Sequence, residues 1–385
     1  MKKLNVLLLR TNKVDPDPRV EKEVNSLLNC EDLCIEVLAW DRECNYKYHQ
    51  DTLSLQNGNT TIHRLGIKAG WGVGIKKNAI AFVKYSIRTL IWLIKNHKKY
   101  DVIHACDLQT IIPSFIPILL FRKRFVYDIY DYFSDTAHGN YLILKLSKKI
   151  ETIVINRADA TIICSEKRKE QIFPAKPRKL VVIHNAPSRS QIIISDKSIC
   201  KTHNDNTKLV YVGNLVEDRC IDLLIEVMKK NPEIELHIGG MGKLEKVVEK
   251  AARENENIYY YGKMKYNDVL ALEKECDIII ALYDQAVHNH KYAAPNKFYE
   301  SLALGKPIIM LHDTGMDELV DRYNLGITVD QNINSISSGI NVLIKRKGDM
   351  DTMGKRAYDL FLAEYCWEIM EERLKEMYKM IAGVK

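Results

Sequence analysis

The sequence lacks several features that would place it in other protein classes. It has no run of about 18 apolar residues, so we expect no membrane-spanning helix. The longest candidate, residues 111–121, is interrupted by Pro113 and Pro117. Its nine cysteines form no Cys-x-x-Cys pair and no Cys/His spacing typical of metal sites, which predicts reduced thiols in a cytosolic protein. The first apolar run ends at Arg10 and is too short for a signal peptide, so it predicts a buried strand.

Motifs for other ligands are incomplete. Gly240-Met-Gly242 follows a predicted strand, but the third glycine of a dinucleotide fingerprint is missing at Glu245. Two spacings can bind a metal, but on loops such residues are more often caps and turn residues; they are Asp15-Pro-Asp17 and His288 with His290. The basic residues lack the aromatic interleaving of nucleic-acid binders. We therefore expect no cofactor, no metal and no nucleic-acid partner.

The composition is that of a globular protein, with 46% apolar and 28% charged residues and enough length for two domains. Charge is unevenly distributed. Residues 1–200 contain 32 Lys and Arg against 20 Asp and Glu, whereas the remainder contains 25 against 30. A basic first half indicates an anionic partner such as a membrane surface, a lipid diphosphate or nucleic acid.

Apolar runs alternate with helical patterns throughout the chain, which predicts parallel, doubly wound α/β sheets. The strands predicted in the first half are residues 4–9, 34–39, 60–65, 102–105, 125–128, 160–164 and 180–183. Those in the second half are residues 208–213, 234–240, 257–262, 277–282, 306–310 and 326–329. The polar stretch 188–206 interrupts the pattern and predicts an interdomain linker.

Residues 293–310 have the pattern of a loop, a helix N-terminus and a buried strand. Such an N-terminus offers free N–H groups and about half a positive charge, which suits phosphate. Lys297 would add a point charge, and Glu300 could accept hydrogen bonds from a ribose diol. The alternative is a helix capped by Asn296, with Lys297 solvated and Glu300 complementing the helix dipole.

Residues 295–309, Pro-Asn-Lys-Phe-Tyr-Glu-Ser-Leu-Ala-Leu-Gly-Lys-Pro-Ile-Ile, resemble the signature segment of the bacterial family 4 glycosyltransferases. In that family a Pro-x-Lys-x-x-Glu run precedes an Ala/Gly-Lys-Pro turn. Further segments resemble the same family in chain order: residues 17–20, 100–107, 124–131 and 211–225.

The resemblance implies an α/β fold of the GT-B class, with two Rossmann-like domains facing a central cleft. Residues 1–187 would form the acceptor-side domain, 188–206 the linker and 207–364 the nucleotide-sugar-binding domain, with residues 365–385 a helix crossing back to the first domain.

The activity implied by the resemblance is retaining, metal-independent transfer of a hexosyl or N-acetylhexosaminyl group. The donor would be a UDP- or GDP-linked sugar and the acceptor a lipid-linked saccharide. The setting would be capsule or lipopolysaccharide biosynthesis, in the cytoplasm at the inner face of the plasma membrane. The nucleotide sugar is a co-substrate, and no cofactor is implied.

Matching the family motifs residue by residue implies a set of site residues. The residues with catalytic roles would be Arg219, Lys297 and Asp131. The donor-binding residues would be Gly213, Asn214, Arg219, Lys263, Met264, Tyr292, Ala293, Ala294, Pro295, Asn296, Lys297 and Glu300. Glu300 would bind the ribose, Arg219 and Lys297 the diphosphate, and amides of the 292–295 loop the sugar.

The second half departs from the family pattern at three places. Asn214 stands where the family has an Arg, so one cation is lost, and Arg219-Cys220 stands where it has Lys-Gly. Tyr292 replaces the first Glu of the Glu-x7-Glu pair. We therefore expect backbone amides to contribute more to binding the sugar.

In the first half, Tyr130 stands where the family has a His near the reacting sugar. A phenol, with a reference pKa of about 10, cannot simply replace an imidazole as a base. Asp131 is the candidate that remains, followed by Asp135 and His138. The alternative for each is a loop residue with local hydrogen bonds.

Residues 76–99 form an amphipathic pattern. Its apolar stripe contains Ile80, Val83, Ile87, Leu90, Ile91 and Ile94, and a basic stripe contains Lys77, Lys84, Arg88 and Lys95. One prediction is a helix packed on the core with a solvated basic face. The other is a face that docks on anionic lipid, with Trp71 and Trp92 nearby.

Two other functions remain open at this point. A UDP-sugar epimerase has the same fold and needs no acceptor, and a catalytically silent scaffold is compatible with the departures at Tyr130, Tyr292 and Asn214.

Overall fold

The structure, a computed structural model, describes residues 3–70, 74–136, 141–192, 198–202 and 205–383. The chain divides into two compact units, Met1–Ile183 with Met370–Lys385, and His184–Ile369. Each unit contains a mainly parallel sheet. The predicted domain boundaries lie close to these limits and stay predictions.

The first unit has eight strands in the order β3-β4-β2-β1-β5-β6-β7-β8. They are β1 (Leu4–Arg10), β2 (Leu33–Asp41), β3 (Tyr48–Leu55), β4 (Gly58–Gly66), β5 (Val102–Cys106), β6 (Arg124–Ile129), β7 (Ala160–Ile163) and β8 (Leu180–Val182). Its helices are α1 (Pro18–Leu28), α2 (Gly74–Lys95), α3 (Leu108–Leu120), α4 (Phe133–Thr136), α5 (Tyr141–Arg157) and α6 (Arg168–Gln171).

Strand β1 lies near the centre of this sheet, and its side chains are buried on both faces. It pairs in parallel with β2 on one side and β5 on the other, with Leu8 opposite Val37 and His104. Leu8 and Val37 are fully buried. A near-continuous apolar strand of this kind is typical of parallel sheets covered on both faces.

Helix α1 begins at Pro18 because the sequence supplies its cap. The Asp17 carboxylate accepts from the Val20 N–H at 3.3 Å, and Pro18 occupies the first turn. The same carboxylate accepts from Arg10 at 2.8 Å. Asp17 is therefore a helix cap and an ion-pair partner.

Strand β3 is the element that the sequence analysis missed. It runs antiparallel to β4 at the edge of the sheet, and most of its side chains are exposed. An edge strand of polar residues has no apolar run to reveal it. The other thirteen strands lie where the pattern predicts them, with boundaries shifted by one or two residues.

The second unit has six strands, all parallel, in the order β11-β10-β9-β12-β13-β14. They are β9 (Lys208–Asn214), β10 (Glu235–Met241), β11 (Ile258–Tyr260), β12 (Ile278–Ala281), β13 (Ile308–Leu311) and β14 (Gly326–Val329). Its helices are α7 (Ile221–Lys230), α8 (Glu245–Glu254), α9 (Tyr266–Glu275), α10 (Asn296–Leu304), α11 (Asp317–Tyr323), α12 (Ile333–Lys345) and α13 (Met350–Leu360).

The last helix, α14 (Trp367–Ala382), follows a π-helical turn at Phe361–Tyr365. From Met370 onward it belongs to the first unit. There, Tyr378 is fully buried and its hydroxyl lies 2.8 Å from Nδ1 of His104. The C-terminal segment is thus part of the first unit's core.

Helix α2 does not pack its apolar stripe on the core. Ile80 is 73% exposed, and exposure falls gradually along the stripe to 38% at Ile94. Core contacts come from Tyr85, Trp92 and Leu93 instead. The exposed residues of α2 and of the adjacent α3 are called the apolar ridge below; they are Ile80, Val83, Ile87, Ile91, Ile94, Ile112, Ile116, Leu119 and Leu120.

The prediction of a core-packed stripe is therefore wrong for those five residues of α2, because its buried side lies at other positions. Trp92 is buried, and Trp71 lies outside the described residues. Across the ranges that the structure describes, no helix combines the length and apolar character needed to cross a bilayer.

Candidate functional site

Helix α10 begins at Asn296, with Pro295 in the cap position and no side-chain cap. The Asn296 side chain accepts from Asn185 at 2.9 Å instead of capping the helix. The helix ends at Gly305, whose positive φ of 61° permits the left-handed turn. The capping alternative for Asn296 is therefore wrong. The Phe298 N–H donates to the carbonyl oxygen of Pro295 at 3.0 Å, so within the described residues the N–H groups of Asn296 and Lys297 are the ones left for a ligand.

Lys297 lies in the first turn of α10 and is only 7% exposed. Its Nζ lies 4.5 Å from the ring centroid of Tyr211 on β9. A Cβ at Gly213 would come within 2.7 Å of this Nζ, so a side chain at this position would displace the ammonium group. Among the described residues, no carboxylate lies within ion-pair distance of Lys297.

Glu300 is one turn further along α10 and is 4% exposed. It forms a hydrogen bond with Tyr266 at the start of α9. Burial raises the pKa of Tyr266 well above its ordinary value, and the charge of Glu300 raises it further. The Glu300 carboxylate therefore accepts from a neutral phenol at physiological pH.

Glu273 on α9 is a third acidic residue at this place, and the sequence analysis did not identify it. It is fully buried, and neither carboxyl oxygen has a hydrogen-bond partner among the described residues. Burial raises the pKa of Glu273 well above its ordinary value, and the charge of Glu300 raises it further, while Lys297 opposes them. Burial is therefore the largest influence on the pKa of Glu273, and it favours the protonated form.

Arg219 is held in place by side chains from the second unit. Its Nη1 lies 2.9 Å from Oδ1 of Asp218 and 3.1 Å from Nε2 of His290. Its guanidinium carbon lies 4.3 Å from the ring centroid of Tyr283, which follows β12. The charge of Arg219 also lowers the pKa of Tyr211, although burial keeps that pKa high. Arg219 and Lys297 are thus both near Tyr211.

The contacts of His290 explain how it positions Arg219. Burial lowers the pKa of His290, and the charge of Arg219 lowers it further, so the ring is neutral at pH 7. Nδ1 donates to the carbonyl oxygen of Asp284 at 2.8 Å, which leaves Nε2 to accept from Arg219. His290 is an Arg219 partner, not half of a metal pair with His288.

Cys220, which stands at the family's glycine position, has a φ of 53°. This is the left-handed region that favours glycine. Cys220 therefore takes a backbone conformation that glycine would adopt more easily.

The loop predicted to hold the sugar, residues 292–295, offers fewer amides than expected. Pro295 has no N–H, and Ala293 donates to the carbonyl oxygen of His290 at 3.1 Å. A Cβ at Gly315 would lie 1.9 Å from the carbonyl oxygen of Ala293, so this loop rests directly on backbone. Ala294 lies between Ala293 and Pro295, and its N–H has no partner within the described ranges.

The loops after β9, β10 and β11 place the remaining predicted donor residues. Asn214 is exposed, and its carbonyl oxygen accepts from the Tyr211 hydroxyl at 2.7 Å. The half-buried Met264 has its sulfur 2.7 Å from where a Cβ at Gly239 would be. Lys263 is exposed. The ends of these strands meet at one edge of the sheet, where ligands bind in doubly wound folds.

Asp131, the third residue predicted to have a catalytic role, lies in the first unit. Its side chain is 64% exposed, and its Oδ1 lies 3.4 Å from Arg168. Asp135 accepts from Gln171 at 2.8 Å. His138 lies outside the described residues.

Tyr130 is enclosed between two guanidinium groups. The guanidinium carbons of Arg10 and Arg19 lie 4.1 and 4.2 Å from its ring centroid. Its hydroxyl lies 3.5 Å from Glu23, and burial raises its pKa well above the ordinary value. Tyr130 is therefore a packing residue in a buried ionic network and cannot act as a base at neutral pH.

One group in the first unit has side chains close enough to share a metal: His104, Cys106 and Asp128, all buried. The two ring nitrogens of His104 already contact Tyr378 and Asp128, and Asp128 also accepts from Arg19 at 2.8 Å. These bonds stabilise the group as part of the core.

The structure thus brings Arg219, Lys297 and Glu300 together in the second unit, around Tyr211 and the start of α10. The sequence analysis did not identify four residues around them, Tyr211, Tyr266, Glu273 and Tyr283, and it considered His290 only as a metal ligand. His290 and Tyr283 follow β12, and this placement was the available signal.

Comparison with protein families finds a match that covers the candidate donor site. Residues 192–360 match the family model described as glycosyl transferases group 1. The matched segment contains all the donor-binding residues predicted above.

Two curated relatives share 24% identity with the chain. One is an uncharacterized glycosyltransferase, MJ1069, of Methanocaldococcus jannaschii; the match covers 65% of this chain and 65% of the relative. The chain therefore spans just under two thirds of that relative's length. The other is the capsular polysaccharide biosynthesis glycosyltransferase CapM of Staphylococcus aureus, with coverage of 77% and 82%.

Solved structures match the whole chain. Sucrose-phosphate synthase from Thermosynechococcus elongatus superposes with a TM-score of 0.78 at 14% identity, covering 100% of both chains. Anabaena Alr3699/HepE in complex with UDP and glucose gives 0.72 at 15% identity, covering 98% of this chain and 100% of HepE. The chain therefore has an α/β fold of the GT-B class with two Rossmann-like domains, and its residues 192–360 match the group 1 glycosyl transferases.

Proposed function

We propose that the protein is a retaining, metal-independent glycosyltransferase. It moves a hexosyl or N-acetylhexosaminyl group from a UDP- or GDP-linked sugar to a lipid-linked saccharide. The product belongs to a bacterial surface polysaccharide.

The observation that carries the proposal is the buried ammonium group of Lys297 beside the uncapped start of α10. Burial of an unpaired charge is costly, so the folded chain must gain from it elsewhere. In the described part of the chain, no carboxylate neutralises Lys297. A donor diphosphate supplies the missing charge, and the first N–H groups of α10 bind the same phosphate oxygens.

The other residues around Tyr211 complete the donor site. Arg219 binds the diphosphate bidentately from its position on Tyr283 and His290. Glu300 accepts from the ribose hydroxyls. Its carboxylate also accepts from Tyr266, which holds it in place. Met264 and Lys263 contact the base, and the Ala294 N–H contacts the donor sugar.

Stabilisation of the departing diphosphate supplies most of the catalysis. The bond between the anomeric carbon and the phosphate oxygen breaks, and the acceptor oxygen bonds to the same face of that carbon. The acceptor's proton passes to the departing phosphate oxygen. No protein base is needed in this sequence, which is consistent with a buried, protonated Tyr130.

Two relatives indicate the substrate class. HepE was solved with UDP and glucose, which favours a uridine nucleotide donor. CapM is named for capsular polysaccharide biosynthesis, which favours a surface polysaccharide as product.

The apolar ridge supports peripheral contact with a membrane at its cytoplasmic face. Exposed apolar residues on a helix flanked by Lys84 and Lys95 are typical of segments that lie in the headgroup region of anionic lipid. A lipid-linked acceptor would be reached at that surface.

A donor screen tests the activity. Purified protein is incubated with a panel of UDP- and GDP-sugars, with and without bacterial membrane lipid extract, and nucleotide release is measured. Lipid-dependent release is expected. Release or epimer formation without lipid would instead identify the epimerase, and silence with every donor would identify the scaffold.

The donor site is tested separately by calorimetry with UDP and GDP. Glu300→Ala should weaken nucleotide binding about tenfold, because two hydrogen bonds to the ribose are lost. Glu254→Ala, an exposed residue at the end of α8, is the matched control. Equal affinities of the Glu300 variant and the parent protein would place the nucleotide elsewhere.

A further inference from the structure

Two cysteines that are distant in the sequence lie in contact in the second unit. Cys276 is the residue between α9 and β12, and Cys200 belongs to the described segment 198–202, which precedes β9. Both are members of one hydrophobic cluster. The Cys276 thiol donates a hydrogen bond to the sulfur of Cys200. The fold therefore places two thiols where a short movement of either side chain would bring the sulfur atoms together.

The end of α9 holds the segment that contains Cys200. The carboxylate of Glu275, the last residue of α9, accepts from the Ile199 N–H at 2.6 Å and from the Cys200 N–H at 3.3 Å. It also accepts from the Ser198 hydroxyl at 2.5 Å. Because Glu275 adjoins Cys276 in the sequence, these bonds fix the backbone of Cys200 beside the second cysteine.

Polar groups surround the sulfur of Cys200. It lies 3.7 and 3.8 Å from the two ring nitrogens of His237 on β10, and 3.8 Å from the Thr202 hydroxyl. The His237 ring is itself held, since its Nδ1 lies 2.8 Å from the Tyr261 hydroxyl and its Nε2 lies 3.3 Å from Glu235. The site around Cys200 is therefore a built cluster of hydrogen-bonding groups within an apolar core.

The two thiols differ in charge and in access. The hydrogen bond from Cys276, with smaller contributions from Thr202 and His237, lowers the pKa of Cys200 to about 5, although burial opposes this. The same bond raises the pKa of Cys276. Cys200 is 8% exposed, whereas Cys276 is fully buried. Because the thiolate is the reactive form, Cys200 is the cysteine that an oxidant would attack first.

The cysteine pair is separate from the candidate donor site. Cys276 immediately precedes the amino end of β12, and His237 lies in the first half of β10. The candidate donor residues, in contrast, follow the carboxyl ends of the strands of the same sheet. A reaction at the cysteines therefore involves none of the groups assigned to the nucleotide sugar, and the inference does not depend on the proposed function.

We propose that Cys200 and Cys276 form a reversible oxidative modification site, at which hydrogen peroxide converts the two thiols into a disulfide. The Cys200 thiolate attacks one peroxide oxygen, the O–O bond breaks, and the departing hydroxide takes up a proton. This gives a sulfenic acid at Cys200 and one water. The Cys276 sulfur then attacks the Cys200 sulfur, the S–O bond breaks, and the departing hydroxyl leaves with the Cys276 proton as a second water.

The electrons balance in this sequence, because the two sulfur atoms lose the two electrons that the O–O bond gains. A small dithiol reverses the reaction by thiol–disulfide exchange and returns both cysteines to thiols. Disulfides of this kind in cytosolic proteins are usually transient and redox-sensing. The site is therefore compatible with the reduced thiols that the sequence predicts, since the bond forms only when an oxidant is present.

Peptide mapping of the full chain tests the proposal without any substitution. The reduced protein is treated at pH 7 with a small molar excess of hydrogen peroxide, digested without reductant and analysed by mass spectrometry. We expect a crosslinked pair of peptides that joins Cys200 to Cys276, and its loss after treatment with dithiothreitol. Because the parent protein is used, this result is obtained even if a variant fails to fold.

Three variants assign the roles of the two cysteines. Cys276→Ser keeps a hydrogen-bond donor but cannot form the disulfide, so a dione probe should trap about tenfold or more sulfenic acid at Cys200 than in the parent. Cys200→Ser should leave the buried Cys276 as a thiol. Cys34→Ser removes an exposed cysteine on β2 of the first unit and is the control, which should form the disulfide as the parent does.

The proposal is overturned if peroxide oxidises Cys34 in the parent protein while Cys200 and Cys276 remain thiols. A crosslink from Cys200 or Cys276 to a third cysteine in place of the expected pair would overturn it as well. Oxidation of Cys276 in the Cys200→Ser variant would contradict the order of the two steps, because it would show that the oxidant reaches Cys276 directly.

Discussion

A buried cation in the first unit is paired with carboxylates, whereas a buried cation in the second unit is not. Arg19 in the first unit and Lys297 in the second are almost equally buried, at 6% and 7% exposure. Arg19 pairs with Glu23 at 2.9 Å and Asp128 at 2.8 Å, so its charge is neutralised within the fold. Lys297 has an aromatic ring and a glycine beside it, and the pKa of the buried Glu273 stays well above its ordinary value although the charge of Lys297 lowers it.

This difference separates structural charge from functional charge. Arg19 is buried against two carboxylates, so removing it would leave buried charge behind, and little of its own charge is left for a ligand. A buried cation without an ionised partner weakens the fold and strengthens binding of an anion. Two cationic side chains of similar burial, Arg19 and Lys297, therefore have different roles in the two units.

The largest expected effect concerns stability in the first unit. Arg19→Met leaves Glu23 and Asp128 buried without their cation, and the free energy of unfolding should fall by about 3–5 kcal/mol at pH 8. Burial, together with the charge of Asp128, raises the pKa of Glu23 to about 7 even with Arg19 present. The loss should therefore be smaller at pH 5.5, where Glu23 is protonated.

Urea unfolding at the two pH values measures this effect. Arg253→Met, on the exposed surface of α8, is the control and should change stability by less than about 0.5 kcal/mol. An Arg19 variant as stable as the parent protein would show that the network does not neutralise Arg19 as the distances indicate.

The next effect is on the donor site. Lys297→Ala should reduce kcat/KM by on the order of 10²–10³-fold, because the diphosphate loses its buried cation in the transition state. Its thermal stability should stay the same or rise, since a buried charge is removed. Lys291→Ala, an exposed lysine on the neighbouring turn, should behave as the parent enzyme does. A Lys297 variant that loses stability but keeps its activity would show that Lys297 has a structural role, as Arg19 does.

The sequence predicts the scaffold of both units but not the partners within them. Apolar runs locate thirteen of the fourteen strands because a parallel strand buried on both faces must be apolar. Strand β3 escapes because an exposed edge strand has no such constraint. Cys220 has a left-handed backbone although its side chain is not glycine, and nothing in the sequence analysis predicted this.

The candidate site was predictable only in part for a similar reason. Short sequence motifs were enough to identify Lys297, Glu300 and Arg219. Tyr211 and Glu273 come from elements far apart in the sequence and meet these residues only through packing. The exposed stripe of α2 shows the same limit, since periodicity reveals an apolar face but not what covers it.

Glu273→Gln tests whether the second unit is weakened by its buried acid. The folded-state pKa of Glu273 is raised above its unfolded value of about 4.3, so its contribution to stability is lost as pH rises through that interval. Glutamine has no such dependence. The variant should therefore be more stable than the parent by about 1–3 kcal/mol at pH 8, and less so at pH 5.5.

Denaturant unfolding of the Glu273 variant at both pH values gives the result, with Glu254→Gln on the surface of α8 as control. If the two proteins differ by the same amount at both pH values, Glu273 does not titrate in this range. A variant that is less stable at pH 8 would mean that the carboxylate is ionised and paired with Lys297.

The smallest effect is expected at Tyr130, where the family motif has a histidine. Tyr130→Phe keeps the ring between Arg10 and Arg19 and removes a hydroxyl whose contacts, at 3.5 Å to Glu23 and 3.8 Å to Cys106, are too long to contribute much. Stability should change by less than about 1 kcal/mol and kcat by less than about threefold. Tyr130→Ala, which removes the ring, is the contrasting variant and should unfold more easily. If Tyr130→Phe instead lowers kcat by the 10²–10⁴-fold typical of a lost general base, the Tyr130 hydroxyl takes part in catalysis.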